Sequence, residues 1–362
     1  MSVGIEVRAE AYTIPTDAPE ADGTLAWSRT TLVVVWASAD GTTGLGYTYG
    51  PAAIVAFVGE VLAPPLSTVD PDDVPAAWLA MQRALRNSGR PGVAGMALSA
   101  VDCALWDLKA RRHGLPLAAL LGAARAAVPV YGSGGFTTYD AQRQHAQLSH
   151  WVYEDGIPRV KIKIGESDGT AVDRDVARIR SARQTIGTAE LYVDANGAYT
   201  RKQAVRVLRS VEDAEVRWFE EPVSSDDLAG LAQVRAAVTA DVAAGEYGYD
   251  LASFARMVPA VDCLQIDVTR CGGITEFQRA AAVAAGAGLE VSTHCAPHQH
   301  LAVALATPNL RHAEWFHDHV RIESMLFDGA RPATGGQLRP DRSAPGNGLT
   351  FRHTDAQRWR TA

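Results

Sequence analysis

Residues 160–165 read VKIKIG, a short strand-like stretch that decides how the rest of the chain is interpreted. Side chains alternate between the two faces of a strand, so Lys161 and Lys163 share one face while the β-branched residues share the other. Two adjacent ammonium groups are costly to bury unless carboxylates lie nearby. The stretch therefore predicts a buried strand whose neighbours supply acidic side chains.

The composition is that of a globular protein without a surface for binding polyanions. The chain has 362 residues, 47% of them hydrophobic, and a formal net charge of −7, with no basic patch. We therefore expect neither nucleic acid nor a membrane as a partner. The four cysteines lack C-x-x-C spacing and the first residues lack the apolar core of a signal peptide, which favours a cytoplasmic location.

From about residue 128 onward, strand-like stretches alternate with amphipathic helical segments. The stretches are VPVYGSG, VKIKIG, LYVDANG, VRWFEEP, VAAGE, CLQIDV, LEVSTHC and HAEWF. Eight such β-then-α units favour an α/β fold with a parallel (β/α) barrel over an open doubly wound sheet. The preceding part mixes strands and helices around a hairpin signal at residues 39–41, and we expect the Gly- and Pro-rich tail at 335–351 to fold back onto it.

Most of these stretches end in a polar residue, and the spacing between those residues is regular. The series is Lys163, Asp194, Glu220, Glu246, Asp267, His294 and Glu314, at intervals of 31, 26, 26, 21, 27 and 20 residues. Each interval is the length of one βα unit. We therefore expect these side chains to point into one mouth at the carboxyl ends of the strands, where barrel enzymes keep their chemistry.

The first half of the series indicates a metal site beside a base. Asp194, Glu220 and Glu246 form a set of hard oxygen donors suited to Mg²⁺. A dication and the Lys161 ammonium would both favour a neutral amine at Lys163, lowering its pKa from about 10.4 toward about 7. Lys163 would then be usable as a general base.

The second half of the series indicates a second acid or base and a hydrogen-bond donor. Asp267 is expected to hold His294 in one tautomer and to raise its basicity. Glu314, if its surroundings keep it protonated, would donate a hydrogen bond to a developing oxyanion. Such an arrangement suits removal of the proton α to a carboxylate.

Two neighbouring motifs are expected to have other roles. His298 and His300 form H-Q-H after the seventh strand, where no partner histidines fit a hydrolytic zinc site, although His298 could still contact substrate. Cys295 follows His294, and because strand neighbours face opposite ways we expect it to pack in the core.

These motifs resemble those of the enolase superfamily and, within it, of the mandelate racemase subgroup. The matching stretches are SAVDCALWDLKARRHGLPLAALLG, the K-x-K of VKIKIG, VDANGAYT, WFEEPV, AGE, LQIDVTRCGGIT, the His of VSTHC, and HAEWF. The resemblance implies a modified (β/α)8 TIM barrel of the (β/α)7β type at residues 124–324. An α+β capping domain would comprise residues 1–123 and a returning segment at 325–362, with specificity loops near 11–23 and 44–50.

The resemblance also implies roles for individual residues. Asp194, Glu220 and Glu246 would be the metal ligands, with Glu220 rather than Glu221 taken from the E-E-P motif. The bases would be Lys163 and the His294–Asp267 dyad, and Glu314 would be the hydrogen-bond donor. The candidate substrate-binding residues are Lys161, Asn196, Ser133, Arg270 and His298.

The predicted reaction is Mg²⁺-dependent abstraction of the α-proton of a small carboxylate through an enediolate. Dehydration of an acid sugar to a 2-keto-3-deoxy acid is favoured, because proteins of the subgroup with a Lys base and a His/Asp dyad often catalyse it. The alternatives are a racemase or epimerase of a 2-hydroxy or related acid, and a catalytically silent metal-binding protein. The resemblance further implies a homo-oligomer.

Overall fold

The computed structural model describes residues 4–362, and its first part is an antiparallel sheet of three strands. The strands are β1 (Glu6–Ala21), β2 (Ala26–Ala39) and β3 (Thr42–Tyr49), with β2 in the centre. Val33 and Val35 of β2 pack with helices on one face of the sheet, whereas Val34 and Trp36 pack with the carboxyl-terminal tail on the other. Burial on both faces explains why this strand is apolar without alternation.

Helices cover one face of this sheet. They are α1 (Ala53–Phe57), α2 (Val74–Ala84), α3 (Val93–Arg112) and α4 (Leu117–Leu121). Helix α3 lies directly against β3, where a Cβ added to Gly44 would lie 2.2 Å from the carbonyl oxygen of Ala104. Glycine in the strand therefore allows the two backbones to approach closely.

Eight parallel strands then form a closed barrel. They are β4 (Val128–Gly134), β5 (Arg159–Lys163), β6 (Glu190–Asp194), β7 (Val216–Glu220), β8 (Asp241–Ala244), β9 (Cys263–Ile266), β10 (Glu290–Thr293) and β11 (Leu310–Phe316). Each strand pairs with the next, and β11 pairs with β4 to close the barrel. The predicted α/β barrel is thereby confirmed.

Helices surround the barrel and connect its strands. They are α5 (Ala141–Ser149), α6 (Glu166–Gly169), α7 (Val172–Ile186), α8 (Arg201–Ser210), α9 (Leu228–Arg235), α10 (Leu251–Met257), α11 (Gly273–Gly286), α12 (Pro297–Leu305) and α13 (His317–Leu326). Short 3-10 or π turns lie at Val58–Leu62, Pro64–Leu66, Leu85–Asn87, His150–Glu154, Glu212–Ala214, Val258–Ala260 and Gln357–Trp359. None of the helices in residues 4–362 is both long and apolar enough to cross a membrane.

Aromatic side chains fill the interior of the barrel. Tyr131, Tyr192 and Trp218 form one buried cluster there. The ammonium of Lys161 lies 5.4 Å from the ring centre of Tyr131. The polar groups of the mouth are therefore supported by a packed, apolar floor, which limits their movement.

The tail after α13 contacts both the barrel and the antiparallel sheet. Its elements are β12 (Phe327–Asp328), β13 (Gln337–Leu338), β14 (Thr350–Phe351) and α14 (His353–Ala356). Strand β12 pairs with β14, and β13 pairs with β4. The backbone N–H of Thr361 donates to the carbonyl oxygen of Ala11 at 2.8 Å, which joins the end of the chain to β1.

The two segments expected as loops are largely strand. Strand β1 continues to Ala21 because Tyr12 and Ile14 are buried against the tail, with a register shift against β2 between Pro15 and Glu20. Most of the 44–50 segment belongs to β3. The turn after β1 rests on the barrel mouth, where a Cβ on Gly23 would lie 2.8 Å from the carbonyl oxygen of Ala195.

Candidate active site

Three acidic side chains from consecutive barrel strands meet at the carboxyl-terminal end of the barrel. Asp194 and Glu220 end β6 and β7 and are register partners, and Glu246 follows β8. One oxygen of each lies within 4.8 Å of the other two, and all three residues are buried. The chain reaches Glu246 through Gly245, whose φ is 144° and where a Cβ would lie 1.9 Å from a backbone oxygen of Gln265. Only glycine fits this approach.

Both lysines of β5 point into this carboxylate cluster. The Nζ atom of Lys163 lies 2.5 Å from Oδ2 of Asp194. The Nζ atom of Lys161 lies 2.5 Å from Oε1 of Glu220 and 2.8 Å from Oε1 of Glu314. Each ammonium group therefore has the carboxylate partners that its burial requires.

Without a bound metal ion, the protein atoms around Lys163 favour its charged form. Burial lowers the pKa of Lys163, but the carboxylates of Asp194, Glu220 and Glu246 together outweigh burial and raise the pKa above its ordinary value. The charge of Lys161 acts in the expected direction, but it is weaker than the effect of Asp194. The protein atoms alone therefore keep Lys163 charged, and a neutral amine requires additional positive charge at the carboxylates.

Asp267 and His294 form a hydrogen-bonded pair on the other side of the cluster. Oδ2 of Asp267 lies 2.7 Å from Nδ1 of His294, while Oδ1 accepts hydrogen bonds from the backbone N–H and the hydroxyl of Thr269. The other ring nitrogen, Nε2, lies 3.4 Å from Oε2 of Glu246. Burial lowers the pKa of His294, but Glu246 and Asp267 more than offset it and raise the pKa. The dyad can therefore hold a proton at Nε2, facing the cluster.

The surroundings of Glu314 favour its ionised form, whereas the predicted donor role needs the protonated form. Burial raises the pKa of Glu314, but the Lys161 ammonium at 2.8 Å, together with His294 and Lys163, outweighs burial and lowers the pKa well below its ordinary value. Oε2 of Glu314 accepts a hydrogen bond from the backbone N–H of Cys295 at 2.7 Å. The carboxylate acts as an acceptor toward the protein, and a donor role would require it to gain a proton.

The remaining predicted substrate-binding residues take different positions around the cluster. Asn196 donates its backbone N–H to Asp194 at 2.9 Å, and its side-chain oxygen accepts no hydrogen bond from the described residues. The hydroxyl of Ser133, a register neighbour of Lys161, also has no hydrogen-bond partner among them. Arg270 lies 3.3 Å from Oε1 of Glu246 and 3.5 Å from Oδ2 of Asp267. Arg270 therefore joins the carboxylate cluster to the dyad.

His298, one of the candidate substrate-binding residues, is held by protein partners. Its Nδ1 is 2.5 Å from Oε2 of Glu323, and its Nε2 donates to the backbone oxygen of Arg331 at 2.9 Å. Both ring nitrogens are thus occupied by protein partners. His300 likewise accepts from the backbone N–H of Val268 at 2.8 Å, so the H-Q-H motif joins structural elements.

Cys295 lies beside His294 instead of on the opposite face. Its sulfur is 3.3 Å from Nε2 of His294. Strand β10 ends at Thr293, and Cys295 and Ala296 have φ values of 51° and 36°, so the alternation of a strand no longer applies. Burial raises the pKa of Cys295 well above its ordinary value, which is unfavourable for a thiolate nucleophile.

Two further acidic side chains lie near the carboxylate cluster. Glu221 is buried with a φ of 36°, and its Oε1 has no hydrogen-bond partner. Burial and the neighbouring Glu246 raise the pKa of Glu221 well above its ordinary value. Asp22, in the turn that rests on the barrel mouth, also lies within electrostatic range of Lys163. Glu221 belongs to the E-E-P motif, from which only Glu220 was predicted to be a site residue, and no local pattern distinguished Asp22.

Family models match both parts of the chain. Residues 5–122 match the mandelate racemase / muconate lactonizing enzyme N-terminal domain. Residues 143–356 match the enolase C-terminal domain-like model.

Curated proteins and solved structures that are similar to this chain agree with the matches to the family models. L-talarate/galactarate dehydratase of Salmonella typhimurium is 35% identical over 81% of this chain and 75% of its own length. The 3,6-anhydro-alpha-L-galactonate cycloisomerase of Streptomyces coelicolor is 32% identical over 95% of this chain and 96% of its own length. The structure of a mandelate racemase/muconate lactonizing enzyme-like protein from Rubrobacter xylanophilus has a TM-score of 0.95 with 47% identity, covering 99% of both chains. A racemase from Streptomyces coelicolor with bound magnesium has a TM-score of 0.90 with 31% identity, covering 99% of this chain and 100% of that one.

Proposed function

This chain belongs to the enolase superfamily, in its mandelate racemase subgroup, and on that premise we propose that it removes the α-proton of a small carboxylate substrate with the help of Mg²⁺. The observation that supports this proposal most strongly is that three buried carboxylates lie between a lysine on one side and a histidine–aspartate pair on the other. We further propose that the substrate is an acid sugar and that the product is a 2-keto-3-deoxy acid.

The carboxylate cluster fits a hard dication. Asp194, Glu220 and Glu246 are the proposed ligands because each offers one oxygen within 4.8 Å of the others. Oε2 of Glu246 is buried and accepts no hydrogen bond from the part of the chain that the structure describes, so it is available for a cation. All donors are carboxylate oxygens, which Mg²⁺ prefers over nitrogen or sulfur. A bound Mg²⁺ would supply a Lewis acid for the substrate carboxylate and would offset the charge of Asp194 that otherwise keeps Lys163 protonated.

Two groups of the chain are placed to move protons. Nζ of Lys163 contacts Asp194, and Nε2 of His294 faces Glu246, so the two lie on opposite sides of the cluster. A substrate acid held at the cluster would have one base on each side of its α-carbon. We propose that one of them accepts the α-proton.

Positive charge near the cluster would stabilise the enediolate that forms. Lys161 is fully buried and bound to carboxylates from two strands, which fixes its ammonium close to the substrate position. Since the Lys161 ammonium is already oriented and shielded from water, the site needs little reorganisation when negative charge develops on the substrate. Arg270 adds a second fixed cation beside Glu246.

Dehydration follows if a protonated dyad assists the leaving group. In this proposal Lys163 takes the α-proton, and the electron pair of that C–H bond enters the enediolate. The same electron pair then forms the Cα–Cβ double bond of an enol as the β-C–O bond breaks. His294 donates its Nε2 proton to the departing hydroxyl, which leaves as water. The enol then tautomerises to the 2-keto-3-deoxy acid. The similarity to L-talarate/galactarate dehydratase supports this outcome.

Racemisation or epimerisation is the second candidate. It is favoured by the same placement of two bases on opposite sides, since one can remove the α-proton and the other can return a proton to the opposite face. The similarity to a magnesium-containing racemase also supports it.

A substrate panel distinguishes the two outcomes. Purified protein with Mg²⁺ is incubated with aldaric and aldonic acids, and 2-keto acids are detected as semicarbazones. A dehydratase produces a keto acid from at least one acid of the panel. An isomerase instead produces an epimer with deuterium at the α-carbon in heavy water and no keto acid. If no carboxylate tested yields either a keto acid or an epimer, the proposed function is contradicted.

A further inference from the structure

A second cluster of potential metal ligands lies outside the barrel mouth, where the antiparallel sheet meets the barrel. Asp17 and Glu20 lie near the end of β1, and His317 is the first residue of α13. One donor atom of each lies within 4.8 Å of the other two. We propose that Asp17, Glu20 and His317 bind a second divalent cation of the transition-metal class, such as Zn²⁺. This inference does not rest on the proposed function.

Glu20 is the observation that distinguishes this cluster from an ordinary surface ion pair. The residue is fully buried, yet its Oε1 atom has no hydrogen-bond partner among residues 4–362. The other oxygen, Oε2, accepts a hydrogen bond from the indole N–H of Trp27 at 2.8 Å. A buried carboxylate oxygen without a partner is costly, and a bound cation would supply the missing interaction.

The other two donors are already close to a suitable geometry. Nε2 of His317 lies 3.1 Å from Oδ2 of Asp17. Donors about 2.0 to 2.2 Å from a tetrahedral Zn²⁺ lie about 3.4 Å from each other, so the observed separation requires little movement. Both side chains are partly exposed, at 24% and 37%, which leaves a solvent-accessible position for a water ligand.

The charges around the cluster favour an added cation. Asp318 adds a third carboxylate, which acts electrostatically on Glu20. Arg143 pairs with Asp17 at 3.2 Å, and Arg321 pairs with Asp318 at 2.6 Å. Three carboxylates therefore face two guanidinium groups, and one negative charge is left for a proton or a metal to balance.

The mixture of donors selects the type of metal. One imidazole nitrogen with two carboxylate oxygens suits Zn²⁺ and related transition metals, whereas Mg²⁺ prefers oxygen donors alone. The two proposed metal sites would therefore take different ions. Because the donors come from β1 and α13, the second ion would join the antiparallel sheet to the barrel beside the mouth.

Metal stoichiometry tests the proposal directly. Tag-free protein is first stripped of metal with a chelator and then supplied with excess Mg²⁺ to occupy the barrel site. A small excess of Zn²⁺ is added, unbound metal is removed on a desalting column, and the zinc content of the protein is measured. We expect one zinc per chain in the wild type and almost none in His317→Gln or Glu20→Gln. His150→Gln is the matched control, because His150 is also near two carboxylates, Glu154 and Asp155, but is exposed, and we expect it to keep one zinc.

The Asp194→Asn variant distinguishes the second proposed metal site from the one in the barrel. In Asp194→Asn, where the barrel site is weakened, one zinc should remain, and in the double variant with His317→Gln it should be lost. With Co²⁺ in place of Zn²⁺, the wild type should show visible d–d absorption that His317→Gln lacks. Circular dichroism verifies that the variants are folded. The proposal would be overturned if the wild type failed to retain zinc, or if wild type and a folded His317→Gln retained it equally. The Asp17–His317 hydrogen bond and a protonated Glu20 would then explain the cluster without a metal.

Discussion

The Nζ atom of Lys163 lies 2.5 Å from Oδ2 of Asp194, so the proposed base and a proposed metal ligand are hydrogen-bonded to each other. In the protein alone this contact raises the pKa of Lys163 and holds its proton. The same contact makes the state of the base sensitive to any cation that the carboxylate binds. Metal binding and base activation are therefore coupled through one pair of atoms.

Replacement of Lys163 should separate proton transfer from metal binding. We expect Lys163→Ala to lower kcat by about 10²- to 10⁴-fold, the usual contribution of a general base. Mg²⁺ affinity should not fall, because Asp194 loses a competing ammonium partner. Steady-state kinetics and isothermal titration calorimetry measure the two effects, with the exposed Lys202→Ala as the control. A Lys163→Ala protein with ordinary turnover would exclude Lys163 as the base.

Replacement of the two glutamates of the E-E-P motif should identify the ligand. We expect Glu220→Gln to weaken Mg²⁺ binding by more than about tenfold, while Glu221→Gln has a smaller effect. Both residues are buried, and each substitution preserves side-chain size, so the pair is matched. Calorimetric titration with Mg²⁺ provides the comparison. A larger loss of affinity in Glu221→Gln would reverse the assignment.

Removal of the Lys161 charge should destabilise the fold. Lys161→Met would leave Glu220 and Glu314 as buried carboxylates without their cation. Breaking a buried ion pair in this way typically costs about 3–5 kcal/mol. The double variant with Glu314→Gln should recover part of that loss, because one of the unpaired charges is removed as well. Urea unfolding of the metal-free proteins measures both free energies. Additive losses in the double variant would show that the two side chains are not energetically coupled.

The contribution of His298 to stability should depend on pH. Burial lowers its pKa, but the carboxylate of Glu323 outweighs burial and raises the pKa above its ordinary value. Because the pKa is higher in the folded state than the unfolded value of about 6.5, the contribution is fully present below that pH and is lost as pH rises through the folded pKa. The free energy of unfolding of wild type should thus exceed that of His298→Gln by more at about pH 5 than at about pH 8. A constant difference across this range would contradict the assignment.

The regular spacing of polar residues at strand ends was sufficient to predict the barrel and the location of its mouth. Each interval corresponds to one βα unit, and strand parity places Lys161 and Lys163 on the inner face, where the structure has them. These are local properties of period and length, which a single sequence contains.

Protonation states and irregular backbone could not be predicted in the same way. The charge on Glu314 depends on Lys161, which is remote in sequence, and the direction of Cys295 depends on a left-handed backbone after the end of β10. The contacts that occupy both ring nitrogens of His298 come from α13 and the tail. The cluster of Asp17, Glu20 and His317 likewise joins opposite ends of the chain, and no motif connects them. Such features arise only when distant segments pack together.

The most direct test of the central claim is loss of the α-proton, followed by ¹H NMR in heavy water with an acid that the protein converts. The two-base account predicts that the α-proton signal of the substrate disappears with wild type and Mg²⁺, and that chelation of the metal stops the loss. It also predicts that Lys163→Ala or His294→Asn, depending on the configuration at the α-carbon, reduces the rate by at least about 100-fold. Disappearance of the signal at the wild-type rate in both variants would contradict it.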